Sequence, residues 1–186
     1  MYTPLWQTQV ISQRLSEPDE VNMKWPVIIL CVTTLSWSGC SSSSTVTALQ
    51  VEQENLSLGR RVFGEIYGGG KVDLVDQLYS EDFVDDSPGG GKGRQLIKDA
   101  VTAFHKAFPD LRIEIEDALA VNDKVVLRYT ARGTQTGPYY DIPASGKPVT
   151  ARGITIFQVV NGRIKVEWTE YDRLGVLRQI GAVPSD

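Results

Sequence analysis

The sequence predicts an α+β domain in which a curved antiparallel sheet wraps over about three N-terminal helices to form a cone. Two observations predict this. Apolar residues recur at helical spacing between residues 51 and 108, and after Pro109 the apolar period changes to two. Helices followed by antiparallel strands are typical of domains with helices laid on one face of a sheet. Side chains alone cannot fill the wide end of a cone, so we expect a ligand pocket there.

Three helices are predicted before the sheet, over residues 51–67, 72–79 and 95–108. Three consecutive glycines, residues 68–70, end the first helix, because glycine tolerates the positive φ found at helix ends. Pro109 ends the third helix. A short strand is predicted between the second and third helices, at residues 81–85, followed by a loop at 87–91.

Four strands and a short terminal helix follow. Leu111, Ile113, Ile115 and Asp117 alternate with charged residues, which places these four on one face of the first strand. The other predicted strands cover residues 124–134, 149–160 and 163–171, and the terminal helix covers residues 173–180. Asn161-Gly162, between two apolar runs, is a strong hairpin motif.

Composition excludes several functional classes. The chain has 186 residues, 41% of them hydrophobic and 23% charged, which is typical of a globular protein. The net charge of −4 leaves no basic excess to neutralise phosphates, so we expect no nucleic-acid partner. The two cysteines, Cys31 and Cys40, lie near the N-terminus, and His105 is the single histidine. We therefore expect no thiolate or histidine metal site in the domain.

The N-terminal residues have the pattern of an export signal rather than of a fold. Lys24 precedes an apolar run at 25–35, and a small-residue stretch ends at Cys40. The run is too short for a membrane span, which needs about 20 residues. Ser38-Gly39-Cys40 resembles the lipobox of bacterial lipoproteins, in which the cysteine is lipidated, although Trp37 stands where that motif usually has an aliphatic residue. The alternative interpretation is a disordered tail on a cytoplasmic protein.

This interpretation divides the chain into five segments and places the protein in the bacterial cell envelope, anchored to the membrane only through a lipid on Cys40. The predicted segments are a non-native or disordered extension at 1–22, a signal peptide at 23–40, a Ser/Thr-rich linker at 41–50, the folded domain at 51–181 and a tail at 182–186.

Four stretches of the domain carry a family resemblance. LYSEDFVDDSPGGGKG, AFHKAFPDLRIEIED, KVVLRYTARGTQTG and GITIFQVVNGRIKVEWTEYDRLGVLRQIG resemble, in this order, the SnoaL-like ester cyclase or polyketide cyclase group of the nuclear transport factor 2-like superfamily. The resemblance covers residues 55–181. It implies a helix-plus-sheet cone, which is often a homodimer formed through the sheet. It also implies ring closure of polyketide-like substrates by intramolecular aldol chemistry, without metal or organic cofactor.

The last predicted strand supplies the first candidate for catalysis. Simple alternation places Ile164, Val166, Trp168, Glu170 and Asp172 on one face, apolar at its start and acidic at its end. An aspartate in this closing segment acts as acid/base in the family, and the resemblance assigns that role to Asp172, so that Asp172→Asn is expected to abolish turnover. The alternative is that Asp172 caps the terminal helix. Glu170 is predicted to form a pocket wall or an ion pair.

The second candidate is Asp86, which stands after Asp85 where the family commonly has a histidine. The alternative is that Asp86 is an exposed aspartate of the loop. His105 is predicted to face solvent. Arg128, followed by Tyr129, matches a frequent arginine–aromatic pair of the family and is predicted to bind an acidic or ester group. The alternative for Arg128 is a charged ladder on the outer sheet face. The residues predicted to bind substrate are Glu170, Trp168, Arg128, Tyr129, Phe157 and Phe83.

Three functions are consistent with these residues. The first is a cofactor-free cyclase or isomerase with an aspartate acid/base, acting on a small hydrophobic carbonyl compound. The second is a non-catalytic envelope lipoprotein that binds a small apolar ligand. The third is epoxide hydrolysis, which relatives of this fold perform with two aspartates and an arginine around one water.

Overall fold

The computed structural model describes residues 42–184. The predicted N-terminal extension, the signal peptide and the lipidation site at Cys40 lie outside the described residues. Within residues 42–184, no helix combines the length and the apolar character that crossing a membrane requires.

Helix α1 spans Ser42–Arg61 and continues into a π-helical segment at Val62–Tyr67. It begins nine residues before the predicted start at residue 51, and so it includes most of the predicted linker. The physical reason is that no glycine or proline interrupts residues 41–58, so nothing in the chain stops the helix there. Its C-terminal part buries Leu58 and then the three apolar residues of the π-helical segment against the sheet.

The remaining helices lie close to their predicted positions. A 3₁₀ turn at Val72–Leu74 leads into the short helix α2, Val75–Leu78, and α3 spans Arg94–Ala107. The terminal helix α4 spans Arg173–Ile180 and ends at Gly181, whose φ of 83° is the left-handed conformation that glycine adopts without steric cost.

Five strands form one sheet with the order β1-β5-β4-β3-β2. They are β1 Tyr79–Asp85, β2 Arg112–Val121, β3 Lys124–Thr134, β4 Pro148–Val160 and β5 Arg163–Tyr171. Neighbouring strands from β2 to β5 pair antiparallel, but β1 pairs with β5 in parallel. The predicted curved sheet over helices is confirmed, and the parallel pairing of β1 is the one departure from its predicted antiparallel character. No hairpin joins β1 to β5, so no tight turn dictates their relative direction.

The two tightest hairpin turns have the residues that their backbone requires. Asn161 and Gly162 have φ values of 52° and 69°, and Asn122 has a φ of 53°. At Asn161-Gly162, two consecutive left-handed residues match the twist of the flanking strands, and asparagine and glycine are the residues that tolerate this conformation best. The predicted Asn161-Gly162 hairpin is therefore confirmed.

Two β-bulges reverse the alternation of side chains along their strands. On β2, Ile115 pairs with Tyr129 and Asp117 pairs with Arg128, so Glu116 is the extra residue. On β5, Ile164 pairs with Val159 and Val166 pairs with Gln158, so Lys165 is the extra residue. An extra residue moves every later side chain of the strand to the opposite face.

The predicted faces are wrong beyond both bulges. Asp117 does not share the face of Ile113 and Ile115, and Glu170 does not share the face of Ile164. Beyond the bulge in β5, the inner face carries Glu167, Thr169 and Tyr171.

Candidate functional site

A cavity of about 710 Å³ lies between the inner face of the sheet and helix α3. This volume is within the range of about 300–1,000 Å³ that small-molecule sites occupy. Apolar side chains of α3 form one wall, among them Leu96, Ala100 and Phe104. The opposite wall is the inner face of strand β5. The loop after β1, the loop between β3 and β4, and inward side chains of β2, β3 and β4 also contribute to the lining.

The β5 wall is polar. Glu167, Thr169 and Tyr171 all line the cavity, because alternate residues of a strand point to the same side. The bulge at Lys165 brings this set inward in place of Val166, Trp168 and Glu170. An apolar wall therefore faces a strip of oxygen atoms that ends in a carboxyl group.

Glu167 is the buried acid of this strip, with 4% of its surface exposed. Three hydroxyl groups donate to it: that of Thr169 at 2.9 Å, that of Tyr67 at 3.2 Å and that of Tyr79 at 3.3 Å. Burial raises the pKa of Glu167 to about 7, and the negative charge of Asp85 acts in the same direction. The three hydroxyl groups oppose this rise, because each stabilises the carboxylate.

The two tyrosines beside Glu167 are held in place by their backbones. Tyr67 ends the π-helical segment, and its carbonyl lies 2.9 Å from Nε2 of His105 on helix α3. Tyr79 begins β1 and is fully buried. Burial raises the pKa of both hydroxyls well above the ordinary value, so both are protonated donors at neutral pH. His105, predicted to face solvent, is half-buried and fixes the end of the first helix.

A second hydrogen-bonded line reaches Glu167 from β4. The Oγ1 atoms of Thr155 and Thr169 are 2.7 Å apart, and Thr169 donates onward to Glu167. Because the single proton of Thr169 goes to Glu167, Thr155 is the donor of the pair. Both threonines line the cavity, so a ligand beside them meets an oriented row of hydroxyls rather than a bare backbone.

The loop after β1 brings a second carboxylate to the cavity. Asp85 lies in the lining, and its Oδ1 accepts a hydrogen bond from the backbone N–H of Ser87 at 3.0 Å. Asp86, the residue predicted from the sequence, points elsewhere. Its Oδ2 accepts from the indole N–H of Trp168 at 2.8 Å, and it is not among the described lining residues.

Asp172 stands at the N-terminus of helix α4. Its side chain is exposed and accepts a hydrogen bond from the backbone N–H of Gly175 at 2.7 Å, so it is the N-cap of α4. Glu170, two residues earlier, is also exposed. Neither belongs to the described lining of the cavity. The catalytic role assigned to Asp172 stays a prediction, and its capping role is visible in its contacts.

Most of the predicted substrate-binding residues lie away from the cavity. Arg128 is exposed and forms ion pairs with Glu116 and Asp117, where the bulge in β2 brings two acids next to each other. Trp168 lies under Nζ of Lys124, at 4.3 Å from its ring centroid. These contacts belong to the face of the sheet opposite the cavity.

Among the six residues predicted to bind substrate, Tyr129 is the one that the structure places in the described lining. Phe83 and Phe157 are fully buried in the core beneath it. Burial raises the pKa of Tyr129 to about 12, so its hydroxyl is protonated at neutral pH. Its ring needs Gly153 on the neighbouring strand, because a Cβ there would lie 2.5 Å from the tyrosine hydroxyl.

Sequence reasoning missed Glu167, Thr169 and Tyr171. Their spacing of two is visible in the sequence, but Ile164, Val166 and Trp168 form the more apolar set and favour the opposite assignment. The bulge at Lys165 has no composition of its own that distinguishes the two alternatives. Only the pairing of β5 with β4 shows which set lies inside.

The arrangement supports proton transfer. A carboxyl group with a pKa of about 7 is present in both protonation states near neutral pH, so it can take a proton from carbon and return one to oxygen. Among residues 47–184, no three histidine, cysteine, aspartate or glutamate side chains cluster as metal ligands would.

Comparison with known proteins agrees with the fold. A sequence model of the family described as SnoaL-like polyketide cyclase matches residues 58–180. A solved structure from Jannaschia sp. CCS1, assigned as a SnoaL-like polyketide cyclase, is 25% identical with a TM-score of 0.67, and covers 72% of this chain and 96% of its own. One from Bacillus cereus ATCC 10987, assigned as a polyketide cyclase, is 31% identical with a TM-score of 0.60, and covers 70% and 82%.

A further structure shows the fold alone. AclR from Streptomyces galilaeus, assigned as a hydroxylase, is 21% identical with a TM-score of 0.66, and covers 73% of this chain and 85% of its own. No curated protein matches the chain. The family model spans about two thirds of the sequence and includes every strand of the sheet. The chain therefore belongs to the SnoaL-like polyketide cyclase family.

Proposed function

We propose that this protein is an acid/base catalyst that closes a ring, or moves a proton, in a small hydrophobic carbonyl compound, with Glu167 as the group that transfers the proton. The observation that carries the proposal is a carboxyl group, buried among three hydroxyl donors and facing an apolar wall, whose pKa lies near 7. No metal or organic cofactor enters the proposed steps.

The proposed reaction balances without another reactant. The Glu167 carboxylate takes a proton from the carbon next to a carbonyl group and leaves an enolate. The enolate carbon attacks a second carbonyl carbon of the same molecule, and the carbon–carbon bond closes the ring. The new alkoxide then takes the proton back from the Glu167 carboxyl group. Tyr67 and Tyr79 hold the carboxylate in the same place in both states.

Glu167 replaces Asp172 in this proposal for a geometric reason. A general base must reach the proton it abstracts within hydrogen-bond distance. Glu167 lines the cavity, whereas the Asp172 carboxylate is exposed and accepts a hydrogen bond from the backbone of α4. The hydrolase alternative receives less support, because the hydrogen-bond partners of Glu167 are hydroxyl groups and not an arginine.

The test is proton exchange at carbon, which needs no knowledge of the natural substrate. The full chain is incubated in D₂O with α-tetralone, a bicyclic ketone, and loss of the signal of the protons next to the carbonyl is followed by NMR. We expect Glu167→Gln to slow the protein-dependent exchange by about 10²- to 10⁴-fold, which is the usual contribution of a general base. Glu81→Gln, at an exposed position of β1, is the matched control.

Asp172→Asn decides between the two candidate acids. If Asp172→Asn abolishes exchange and Glu167→Gln does not, the assignment from the sequence is right and the present one is wrong. If the wild-type chain binds α-tetralone but exchanges its protons no faster than Glu167→Gln, the protein is a carrier of small apolar ligands, which is the second function expected from the sequence.

We also propose that the protein is an exported lipoprotein, attached to the bacterial envelope through a lipid on Cys40. The support is the sequence of the N-terminal region alone. Metabolic labelling with an alkyne-bearing fatty acid tests it. We expect Cys40→Ser to lose the label and Cys31→Ser, which changes the other cysteine of the chain, to keep it. Equal labelling of both variants contradicts the proposal.

A homodimer formed through the outer face of the sheet is a further proposal. An apolar row crosses that face, in which Leu119 pairs with Val126, Val126 with Ile156 and Ile156 with Trp168. Leu119 is 63% exposed, which is unusual for a large apolar side chain. Native mass spectrometry should find a dimer for the wild type and a folded monomer for Leu119→Glu. A monomeric wild type contradicts the proposal.

A further inference from the structure

Three tyrosines cluster around the cavity away from Glu167. The hydroxyls of Tyr139 and Tyr171 are 3.0 Å apart, and the ring of Tyr140 packs edge-on against Tyr139 with centroids 4.8 Å apart. All three residues belong to the lining. Tyr171 and Glu167 share the inner face of β5 and are four residues apart, or about 13 Å along an extended strand.

The hydrogen bond between Tyr139 and Tyr171 leaves one of their hydroxyl protons available to a ligand. A neutral phenol has one donor and can accept twice, so the hydrogen bond between Tyr139 and Tyr171 uses one of their two protons. Burial raises the pKa of both Tyr139 and Tyr171, so these groups stay donors at neutral pH.

The cluster is also held rigidly. Tyr139 is buried and packs against Phe108, with ring centroids 5.5 Å apart. Its backbone forms two hydrogen bonds with Ile142, at 3.0 and 3.1 Å. The amide of Gln135, which is fully buried, donates to three carbonyls of the same loop and accepts from the N–H of Ser145. A donor fixed before binding loses little conformational entropy when a ligand arrives.

We propose that Tyr139 and Tyr171 form a second polar subsite that donates a hydrogen bond to an acceptor oxygen of the ligand, at a distance from the carbon atom that Glu167 deprotonates. This inference rests on the proposed function, because it takes the cavity to be the ligand site. The tyrosine pair determines specificity and takes no part in proton transfer. The ligand it selects is elongated, apolar along the α3 side, with a carbonyl or ether oxygen at the end away from Glu167.

A matched pair of probes tests the subsite by binding alone. 6-Acetyl-2-naphthol has a carbonyl at the end opposite its hydroxyl, and 6-ethyl-2-naphthol has the same shape there without the acceptor. Calorimetric titration of the full chain should give an affinity for the acetyl probe about three- to ten-fold higher, the net effect of one neutral hydrogen bond. Tyr171→Phe should bring the acetyl probe to the affinity of the ethyl probe and leave the ethyl probe unchanged.

Tyr139→Phe is the second variant and keeps the test valid if Tyr171→Phe does not fold. Circular dichroism confirms the fold of each. Equal affinities of the two probes for the wild type, binding of neither probe, or discrimination that survives in both variants would each overturn the inference. The readout needs no turnover. If the tyrosine variants no longer bind the acetyl probe more tightly than the ethyl probe, the subsite is supported even if Glu167→Gln leaves proton exchange unchanged. If both variants still prefer the acetyl probe, the subsite is refuted even if Glu167 is the base.

Discussion

The ionisation of Glu167 should make the stability of the protein depend on pH in a direction that one substitution removes. Its pKa rises from the ordinary 4.5 to about 7 in the folded state. The folded chain therefore binds this proton more tightly than the unfolded chain does. The protonated Glu167 side chain makes its full contribution to the free energy of unfolding below pH 4.5. This contribution is lost as the pH rises through about 7.

The size of the effect follows from the pKa difference. A shift of about 2.5 units, at 1.36 kcal/mol per unit, corresponds to about 3 kcal/mol between the two limits. Glu167→Gln keeps the shape of the side chain but cannot ionise. Its amide nitrogen replaces one of the two accepting oxygens, and this change does not depend on pH. We therefore expect the unfolding free energy of the variant, relative to the wild type, to rise by about 2 to 3 kcal/mol between pH 5 and pH 8.

Chemical denaturation at pH 5, 6, 7 and 8 measures this difference, and other titrating groups cancel because both proteins contain them. Glu170→Gln, an exposed glutamate of the same strand, should stay within about 0.5 kcal/mol of the wild type. Parallel curves for the wild type and Glu167→Gln would show that the carboxyl group ionises with an ordinary pKa, and the acid/base argument would lose its basis.

Three further predictions concern the elements that position the site. Asp172→Ala removes the N-cap of α4 and should cost about 1 kcal/mol in denaturation, whereas Asp172→Asn should keep most of that stability; equal losses would contradict the capping role. Gly153→Ala places a Cβ 2.5 Å from the Tyr129 hydroxyl and should cost about 1–3 kcal/mol and change the near-UV circular dichroism, and a wild-type spectrum and stability would refute this. Gln135→Ala removes the side-chain amide that donates to the carbonyls of Gly137, Ile142 and Pro143, so amides of residues 136–147 should exchange hydrogen faster; unchanged protection would show that the loop is held by other contacts.

The fold class and most element positions could be predicted from the sequence. The predicted strands 124–134 and 163–171 and the helix 173–180 agree with β3, β5 and α4 to the residue. These segments are bounded by turn residues and have clear apolar periods, which are local properties of the chain. The predicted start of α1 is wrong by nine residues, because the Ser/Thr-rich stretch contains no residue that breaks a helix.

The candidate site depended on information that is not local. Alternation along β5 predicts a buried Trp168 and an inward Glu170, and one extra residue at Lys165 reverses both. A bulge is fixed by how two strands pair, and the residues that pair with β5 lie on β4 and β1. Periodicity within one strand therefore could not show that Glu167 is inside the cavity.

The sequence by itself determined the class of fold, the order of its elements, the turn at Asn161-Gly162 and the family to which the chain belongs, because each depends on neighbouring residues or on a pattern of residue types. The tertiary structure alone decided which acid is buried. Tyr67, Tyr79 and Thr169 come from three separate elements and meet at Glu167, and the pKa of that carboxyl group is a property of their shared, water-poor environment. This environment exists only after the sheet has packed over the helices, so no single segment of the sequence determines it.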